Sequence, residues 1–288
     1  MVSDKIMEAI PNMTKKQAAL GRYICENIYA VAFMNAPMIA KSAGVSDATL
    51  TRFVYALGYS SFSDFLLALR KQTQESNLNN PFRQEQYGRK DRPVFKRVFE
   101  LEKSLMDETL SALDPTVFDT CVAKLVDADH ILLVGGPTHR FLTEYFANFL
   151  TLFHHNVTIA QSLDLPFFGT LESMTERSVA VVFSYPRYPV ETQKMIEAIA
   201  SKGVTVVGIT DSKFSPIIRY CTHYLITPQR YLIFVDPNAP AMTLLHAILV
   251  AIYQKNETEI KKHLKKYEKT IISADMFVFK DYNFMSKL

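Results

Sequence analysis

The spacing of apolar residues divides the chain into two parts of different character. Residues 14–77 contain short segments with apolar residues at helical spacing, separated by turn residues, and no convincing strand. Residues 130–227 contain short apolar runs that alternate with amphipathic helical segments. This alternation is typical of a parallel sheet that is covered by helices on both faces. The pattern therefore predicts an all-α N-terminal domain and a doubly wound α/β C-terminal domain.

A polar stretch separates the two parts. Residues 78–93 contain two prolines and a glycine among mostly polar side chains, a composition that disfavours a regular element. We predict that they link an N-terminal domain of residues 1–77 to a C-terminal domain of residues 94–288. A chain of 288 residues also exceeds the length at which one hydrophobic core usually keeps growing.

The regular elements of the C-terminal part follow from periodicity and breaker residues. Helices are predicted over residues 94–113 and from Asp114-Pro115 to about residue 126, because this dipeptide ends one helix and begins the next. Apolar runs predict strands at 131–135, 156–160, 178–184, 204–210 and 223–227. Further helices are predicted at 138–153 and 189–202, and two more over 239–272. The run LIFV at 232–235 is also strand-like.

Two helix starts stand out in the N-terminal part. Thr14 and Gln17 have the spacing of a capping box, and they predict a helix that runs to about Asn27. Asn35 is a capping residue, and Pro37 follows it inside the first turn. This pair predicts a second, short helix.

A glycine and a serine mark the turn after that short helix. Gly44 supplies the positive φ of a sharp turn, and Ser46 caps a helix over residues 47–57. Two helices at this spacing match the DNA-binding helix-turn-helix, whose second helix enters the major groove. A generic three-helix bundle with a surface arginine is the alternative, because short patterns of this kind arise by chance.

The second helix has an apolar face and a polar face. Leu50, Phe53, Val54 and Leu57 are predicted to face the core. The residues left for DNA are Ser46, Asp47, Ala48, Thr49, Thr51, Arg52 and Tyr55. Small and hydroxylated side chains at the start of the helix permit a close approach to bases and phosphates, and Arg52 is its long cationic side chain.

These residues carry a resemblance to a known family. The run from Leu20 to Leu69, with AGVSDATLTRFVYALGYSSFSDFLLAL at its centre, resembles the N-terminal domain of the RpiR family of bacterial regulators. The positions that match outright are Gly44, Ser46, Thr49, Arg52 and Phe53. That family carries a sugar-isomerase (SIS) domain as its effector-binding half, and residues 131–227 resemble it. The resemblance implies a transcription regulator that binds a double-stranded DNA operator and responds to a small anionic metabolite, such as a phosphosugar.

In a SIS-type domain the ligand lies at the carboxyl ends of parallel strands, where loops and helix N-termini offer backbone N–H groups to a phosphate. The candidate effector-binding residues follow three strands. They are Gly135, Gly136, Thr138, His139, Ser184, Arg187, Tyr188, Glu191, Thr192, Asp211 and Ser212.

Two of these loops depart from the family pattern. The glycine-rich turn that ends in serine reads VGGPTHRF here, and the hydroxyl-rich turn of the second loop reads FSYPRYPVET. Arg187 and Tyr188 suit a carboxylate or phosphate through planar, charge-assisted hydrogen bonds. We therefore expect an anionic ligand, either a sugar phosphate or a related acid. A tight strand-to-helix turn without a ligand is the alternative for the first loop.

Two other functions remain open. Some SIS proteins are sugar-phosphate isomerases, and Glu191 and His139 are the available bases. The DNA-binding domain and the proline-stiffened second loop weigh against catalysis, so we expect no catalytic residue. The domain is alternatively a ligand-free dimerisation module of a DNA-binding protein. The sequence has no P-loop, no GxGxxG and no metal-binding His/Glu pair, so we expect no cofactor or metal.

Charge and cysteine content add little that is specific. Residues 1–92 carry twelve Lys/Arg against eight Asp/Glu, which permits DNA contact. The lysines over residues 256–271 are mixed with Glu257, Glu259 and Glu268 on an amphipathic helix, so a solvated helix face is favoured over a nucleic-acid patch. Three separated cysteines are typical of reduced core thiols. With no signal peptide and no apolar span of about 20 residues, we expect a cytoplasmic protein that does not contact a membrane.

A helix-turn-helix usually needs a symmetric partner to bind a two-fold operator. We therefore expect a homodimer, which leaves a tetramer open, with residues 94–126 and 239–272 as the contact surfaces.

Overall fold

The computed structural model describes residues 2–79, 92–276 and 278, apart from residues 33, 155 and 214. The chain divides into two compact units. The first comprises Met1–Leu101, Phe214–Pro216 and Arg230–Asp236, and the second comprises the remaining segments, from Glu102 onward.

The first unit is built from helices, with a 3₁₀ turn at Ile10–Asn12. Its helices are α1 (Val2–Ala9), α2 (Lys15–Glu26), α3 (Ile28–Val31), α4 (Ala36–Ser42), α5 (Asp47–Ala56) and α6 (Phe62–Asn79). The capping box is confirmed, because Thr14 Oγ1 accepts from Gln17 N at 3.4 Å while Gln17 Oε1 accepts from Thr14 N at 3.2 Å. The Asn35 cap is also confirmed, at 3.0 Å from Met38 N.

Helix α1 was not predicted from the sequence. It buries Val2 and Ile6, and the Gln72 side chain on α6 accepts hydrogen bonds from the Val2 and Ser3 backbone N–H groups. An eight-residue helix is marginal by itself in water, so this tertiary packing stabilises it.

The second unit is a five-stranded parallel sheet with helices on both faces. Its strands are β1 (Ile131–Gly135), β2 (Val157–Ala160), β3 (Val179–Ser184), β4 (Thr205–Thr210) and β5 (His223–Ile226). The helices after α6 are α7 (Val94–Ala112), α8 (Pro115–Asp127), α9 (Arg140–Leu150), α10 (Leu165–Ser173), α11 (Val190–Ser201), α12 (Ala239–Lys255) and α13 (Glu257–Ser273). A 3₁₀ turn occupies Ile218–Tyr220.

The predicted strands and their fold class are confirmed. Alternate residues of β1 enter different cores: Ile131 and Leu133 pack with residues of α8, α9 and α12, whereas Leu132 and Val134 pack with residues of α10 and α11. The sheet is therefore buried on both faces, which explains why its strands are almost uniformly apolar.

In the C-terminal part of the chain, one prediction is wrong and one helix was missed. The run at 232–235 is not a strand but a series of bends, and Phe234 is 85% exposed. Hydrophobicity alone predicted a strand there, but the run is hydrogen-bonded to no strand of the sheet. Helix α10 was not predicted; Asp164 caps it by accepting from Phe167 N at 3.0 Å.

The strand order β2-β1-β3-β4-β5 reverses direction between β1 and β3. In open α/β sheets this switch point leaves a crevice at the carboxyl ends of the two strands, where ligands bind. The loops after β1, β3 and β4 therefore share one edge of the sheet.

The predicted domain limits at residues 77 and 94 stay predictions. Helix α6 runs to Asn79 and α7 begins at Val94, and most of the predicted linker lies outside the described residues. In the described part of the chain, no helix has the length and apolarity that crossing a bilayer requires.

Candidate functional site

The turn between α4 and α5 is closed by two backbone hydrogen bonds. Gly44 N donates to Lys41 O at 3.2 Å and Val45 N donates to Ala40 O at 2.9 Å. This is the Schellman pattern of a helix C-terminus, which places Gly44 in the left-handed region, at φ 66°. The predicted role of Gly44 is confirmed.

Ser46 begins helix α5 as predicted. Its hydroxyl oxygen accepts from Thr49 N at 3.3 Å and lies 2.9 Å from the Thr49 hydroxyl. The Thr51 hydroxyl donates to Asp47 O at 2.9 Å, within the helix. These bonds hold the first turn of α5 in place.

The two faces of α5 separate as the sequence predicted. Leu50, Phe53 and Val54 are buried, as is Leu57 directly after the helix. Thr49 is half-buried, and the other candidate DNA-contacting residues are exposed: Ser46, Asp47, Ala48, Thr51, Arg52 and Tyr55. Arg52 forms no salt bridge with any other described residue, so no described carboxylate competes with DNA for its guanidinium group.

At the switch point of the sheet, the loops after β1 and β3 are in direct contact. A Cβ atom on Gly136 would lie 2.9 Å from Pro189 Cγ and 3.3 Å from Thr192 Oγ1. On Gly135 it would lie 2.8 Å from Thr143 Cγ2. A side chain at either position would force these neighbours to move, because the backbone approaches them closely.

His139 lies at the base of this site and precedes α9. Its side chain is buried, with Nδ1 2.9 Å from the Thr138 hydroxyl. The imidazole stacks on Tyr185, with ring centroids 4.5 Å apart. The Tyr185 hydroxyl in turn lies 2.6 Å from that of Thr227, in a buried contact. Sequence reasoning missed Tyr185 and Thr227; their signal was a polar side chain directly after β3 and after β5.

The second loop has an unusual backbone. Arg187 and Tyr188 adopt φ values of 78° and 33°, in the left-handed region that side chains other than glycine seldom occupy. Tyr188 N donates to Tyr185 O at 2.8 Å, which closes the turn. The Arg187 side chain is exposed at this turn.

Asp211, the first residue after β4, connects to the second loop. Its Oδ1 accepts from the Tyr188 hydroxyl at 2.8 Å and from Thr210 Oγ1 at 3.2 Å. Burial raises the pKa of the Asp211 carboxyl, and the hydrogen bonds from Tyr188 and Thr210 oppose that rise only in part. A half-buried carboxyl with a perturbed pKa in a crevice is typical of a functional site.

The remaining candidates lie around this centre. Ser184 and Thr192 are buried, and Ser212 is half-buried. Glu191 is exposed at the margin, where its Oε1 accepts from Leu163 N at 2.8 Å. The structure thus brings the β1, β3 and β4 loops together. The Glu191 side chain is bonded instead to the segment before α10.

A groove of about 550 Å³ lies elsewhere in this unit, against α8, with lining that includes Asp127, Glu176, Arg177 and Thr205, the first residue of β4. It therefore reaches the amino ends of the strands. Its side chains carry both signs of charge, which gives a small anion no consistent attraction. The carboxyl edge of the sheet is the better candidate.

Comparison with known families finds one match in the N-terminal part of the chain and another in the C-terminal part. Residues 2–76 match the helix-turn-helix domain of the rpiR family, and residues 124–254 match the SIS domain. A helix-turn-helix joined to such a domain defines a class of transcription regulators. The chain belongs to the RpiR family of helix-turn-helix transcription regulators.

Individual relatives support the assignment. An uncharacterized HTH-type transcriptional regulator of Clostridium perfringens is 22% identical over 90% of this chain and 96% of its own length. The NanR protein of Vibrio vulnificus, solved in complex with ManNAc-6P, has a TM-score of 0.68 at 17% identity, covering 95% of this chain and 99% of NanR. The sugar isomerase domain of an RpiR transcription factor from Sphaerobacter thermophilus has a TM-score of 0.59 at 20% identity, covering 62% and 99%.

Proposed function

We propose that this regulator binds a small anionic metabolite, most simply a phosphosugar, at the carboxyl edge of its parallel sheet, and that this binding changes its affinity for a DNA operator. The observation that carries the proposal is the meeting of the β1 and β3 loops at the switch point, where Gly136 lies against Pro189. Such crevices are where doubly wound folds bind their ligands.

Groups suited to an anion surround this point. Helix α9 begins at Arg140, and its first turn supplies backbone N–H groups with a partial positive charge. Thr138 adds a hydroxyl, and Arg187 adds an exposed guanidinium from the facing loop. The phosphosugar complex of the similarly folded NanR supports the same ligand class, while the sugar itself is left to experiment.

A sensor fits the described contacts better than an isomerase. The two candidate bases are engaged within the protein: Glu191 accepts from Leu163 N, and His139 contacts Thr138 and stacks on Tyr185. A general base must reach a carbon-bound proton of the substrate. We infer that the site binds its ligand without converting it.

We infer that the exposed face of α5 contacts the operator, with Arg52 as its main cationic contact and the side chains of residues 46–49, 51 and 55 around it. We infer further that the protein acts in the cytoplasm as a homodimer, with an N-terminal domain of residues 1–77, a linker of 78–93 and a C-terminal domain of 94–288. A two-fold partner would place two α5 helices on successive half-sites.

The test combines two measurements on the full chain. Hexose 6-phosphates, the free hexoses and inorganic phosphate are first screened for a rise in the unfolding temperature, since a ligand that binds only the folded state must raise it. Operator affinity is then measured by fluorescence anisotropy with and without the best ligand, on a site selected from random DNA. We expect a phosphorylated sugar to change that affinity. The proposal would be contradicted if no phosphosugar changed the unfolding temperature or the operator affinity. It would also be contradicted if NMR showed that the protein converts a phosphosugar.

Light scattering at micromolar concentration tests the dimer separately. A strictly monomeric protein, both free and bound to DNA, would exclude it.

A further inference from the structure

The contact between Tyr188 and Asp211 joins two loops of the ligand site. The Tyr188 hydroxyl donates to Asp211 Oδ1 at 2.8 Å, and the two residues follow the adjacent strands β3 and β4. Asp211 forms no salt bridge with any other described residue. Its side chain accepts hydrogen bonds from the hydroxyl groups of Tyr188 and Thr210 and from its own backbone N–H.

An ionised carboxylate accepts hydrogen bonds and repels anions. A ligand group that reaches Asp211 must therefore be a donor without negative charge, such as a hydroxyl. The groups suited to an anion, at the start of α9 and at Arg187, belong to the β1 and β3 loops instead. The site thus offers groups suited to an anion on the β1 and β3 loops and an acceptor for a hydroxyl group directly after β4.

Tyr188, whose hydroxyl donates to Asp211, is held in an uncommon backbone conformation. Tyr188 and Arg187 are both in the left-handed region, at φ 33° and 78°. Such conformations persist only where surrounding contacts maintain them. The hydrogen bond to Asp211 is one such contact, so a ligand hydroxyl that replaced the tyrosine would also free the loop.

We propose that Asp211 selects the ligand by accepting a hydrogen bond from a sugar hydroxyl, and that the Tyr188 hydroxyl takes this place when no ligand is bound. The inference rests on the proposed function and narrows it. The ligand carries a single anionic group, and a neutral hydroxyl elsewhere on the ligand meets Asp211. Ligands with a second phosphate in place of that hydroxyl are rejected.

The experiment measures affinities of the full chain by isothermal titration calorimetry. The probes are glucose, mannose and N-acetylmannosamine 6-phosphates, with glucose 1,6-bisphosphate and mannose 1,6-bisphosphate as their doubly charged counterparts. We expect a 6-phosphate to bind the wild type at least about tenfold more tightly than a bisphosphate. In Asp211→Asn the 6-phosphate should lose about tenfold or more in affinity, the scale of a hydrogen bond to a charged group, and the preference over the bisphosphate should shrink.

The second variant tests the displacement of the tyrosine. Tyr188→Phe removes the competing hydroxyl while keeping the ring, so we expect the 6-phosphate to bind several-fold more tightly than in the wild type. Tyr224→Phe, on the partly exposed Tyr224 of β5, is the matched control and should leave affinity unchanged. Cooperative thermal unfolding of each variant verifies that it folds.

Three results overturn the inference. Equal binding of mono- and bisphosphates by the wild type would remove the selectivity, and weaker binding by Tyr188→Phe would show that the tyrosine holds the ligand itself. An unchanged preference in Asp211→Asn would exclude the carboxylate as its source. Each of these leaves phosphosugar binding, and with it the proposed function, intact. Failure of every phosphosugar to bind the wild type would overturn both.

Discussion

Gly136 lies so close to Pro189 that an added Cβ atom would fall 2.9 Å from the proline ring. This contact joins the loop after β1 to the loop after β3 at the point where the strand order reverses. Because the two loops come from distant parts of the sequence, their contact is what creates the candidate ligand site.

Gly136→Ala should therefore distort the site. The new methyl group must push Pro189 away, and overpacking of this kind typically costs about 1–3 kcal/mol. We expect a lower unfolding temperature and a weaker effect of the ligand. Gly169→Ala is the matched control, since nothing lies within 4 Å of a Cβ atom there and helix α10 gains a better helix former. If both variants unfold at the same temperature, the close contact has no energetic consequence.

Arg52→Ala should weaken operator binding without unfolding the protein. A bidentate arginine–guanine pair contributes about 1–3 kcal/mol of discrimination, and Arg52 is exposed on α5 with no salt bridge among the described residues. Affinity for the selected operator is measured at fixed salt. Lys265→Ala, which removes an equal charge from α13, controls for net charge and should change little. An Arg52→Ala protein that binds as tightly as the wild type would remove α5 from the DNA-contacting role.

Arg187→Ala should abolish the effect of the ligand on DNA binding while leaving ligand-free DNA binding nearly intact. Coupling requires that the ligand bind two arrangements of the protein with different affinity, and coupling free energies are typically about 1–3 kcal/mol. The measurement is an operator titration with and without the effector. Arg177→Ala serves as the control, because Arg177 lines the groove against α8 rather than the candidate site. A full response in Arg187→Ala would show that the ligand binds elsewhere.

Asp211→Asn should stabilise the ligand-free protein at neutral pH. Burial raises the pKa of this carboxyl, so the folded state binds the proton more tightly than the unfolded state does, and ionisation of the folded carboxyl costs stability. In the pH window between the unfolded and folded pKa values the folded state binds more protons, so the unfolding free energy falls as pH rises through it. The amide cannot ionise, yet its oxygen still accepts from Tyr188.

The measurement for this prediction is the difference in unfolding temperature between variant and wild type across pH 4–8. We expect the difference to grow with pH. A difference in unfolding temperature that does not change with pH would mean that the carboxyl is hydrated when it is ionised.

The local features of this protein followed from the sequence. The Thr14 capping box, the left-handed Gly44, the Ser46 cap and the inward face of α5 each depend on residues within a few positions of one another. The parallel strands were also recognisable, because burial on both faces requires uninterrupted apolar runs.

Contacts between distant residues were decided only by the tertiary structure. The strand order brings Tyr188 to Asp211 and Tyr185 to His139, and it turns Glu191 toward Leu163. No short pattern encodes these pairs, since each depends on which strands are neighbours.

The tertiary structure also decided the conformation of segments whose local propensity favours a different one. Arg187 and Tyr188 adopt left-handed conformations that their side chains disfavour, and α1 is stabilised by burial against the rest of its domain. Conversely, the apolar run at 232–235 has no neighbouring strand and does not become one. Most of the helices, the five strands of the sheet and the class of regulator could be read from the sequence. The tertiary structure decided which side chains meet at the site, because strand adjacency and burial are properties of the whole fold.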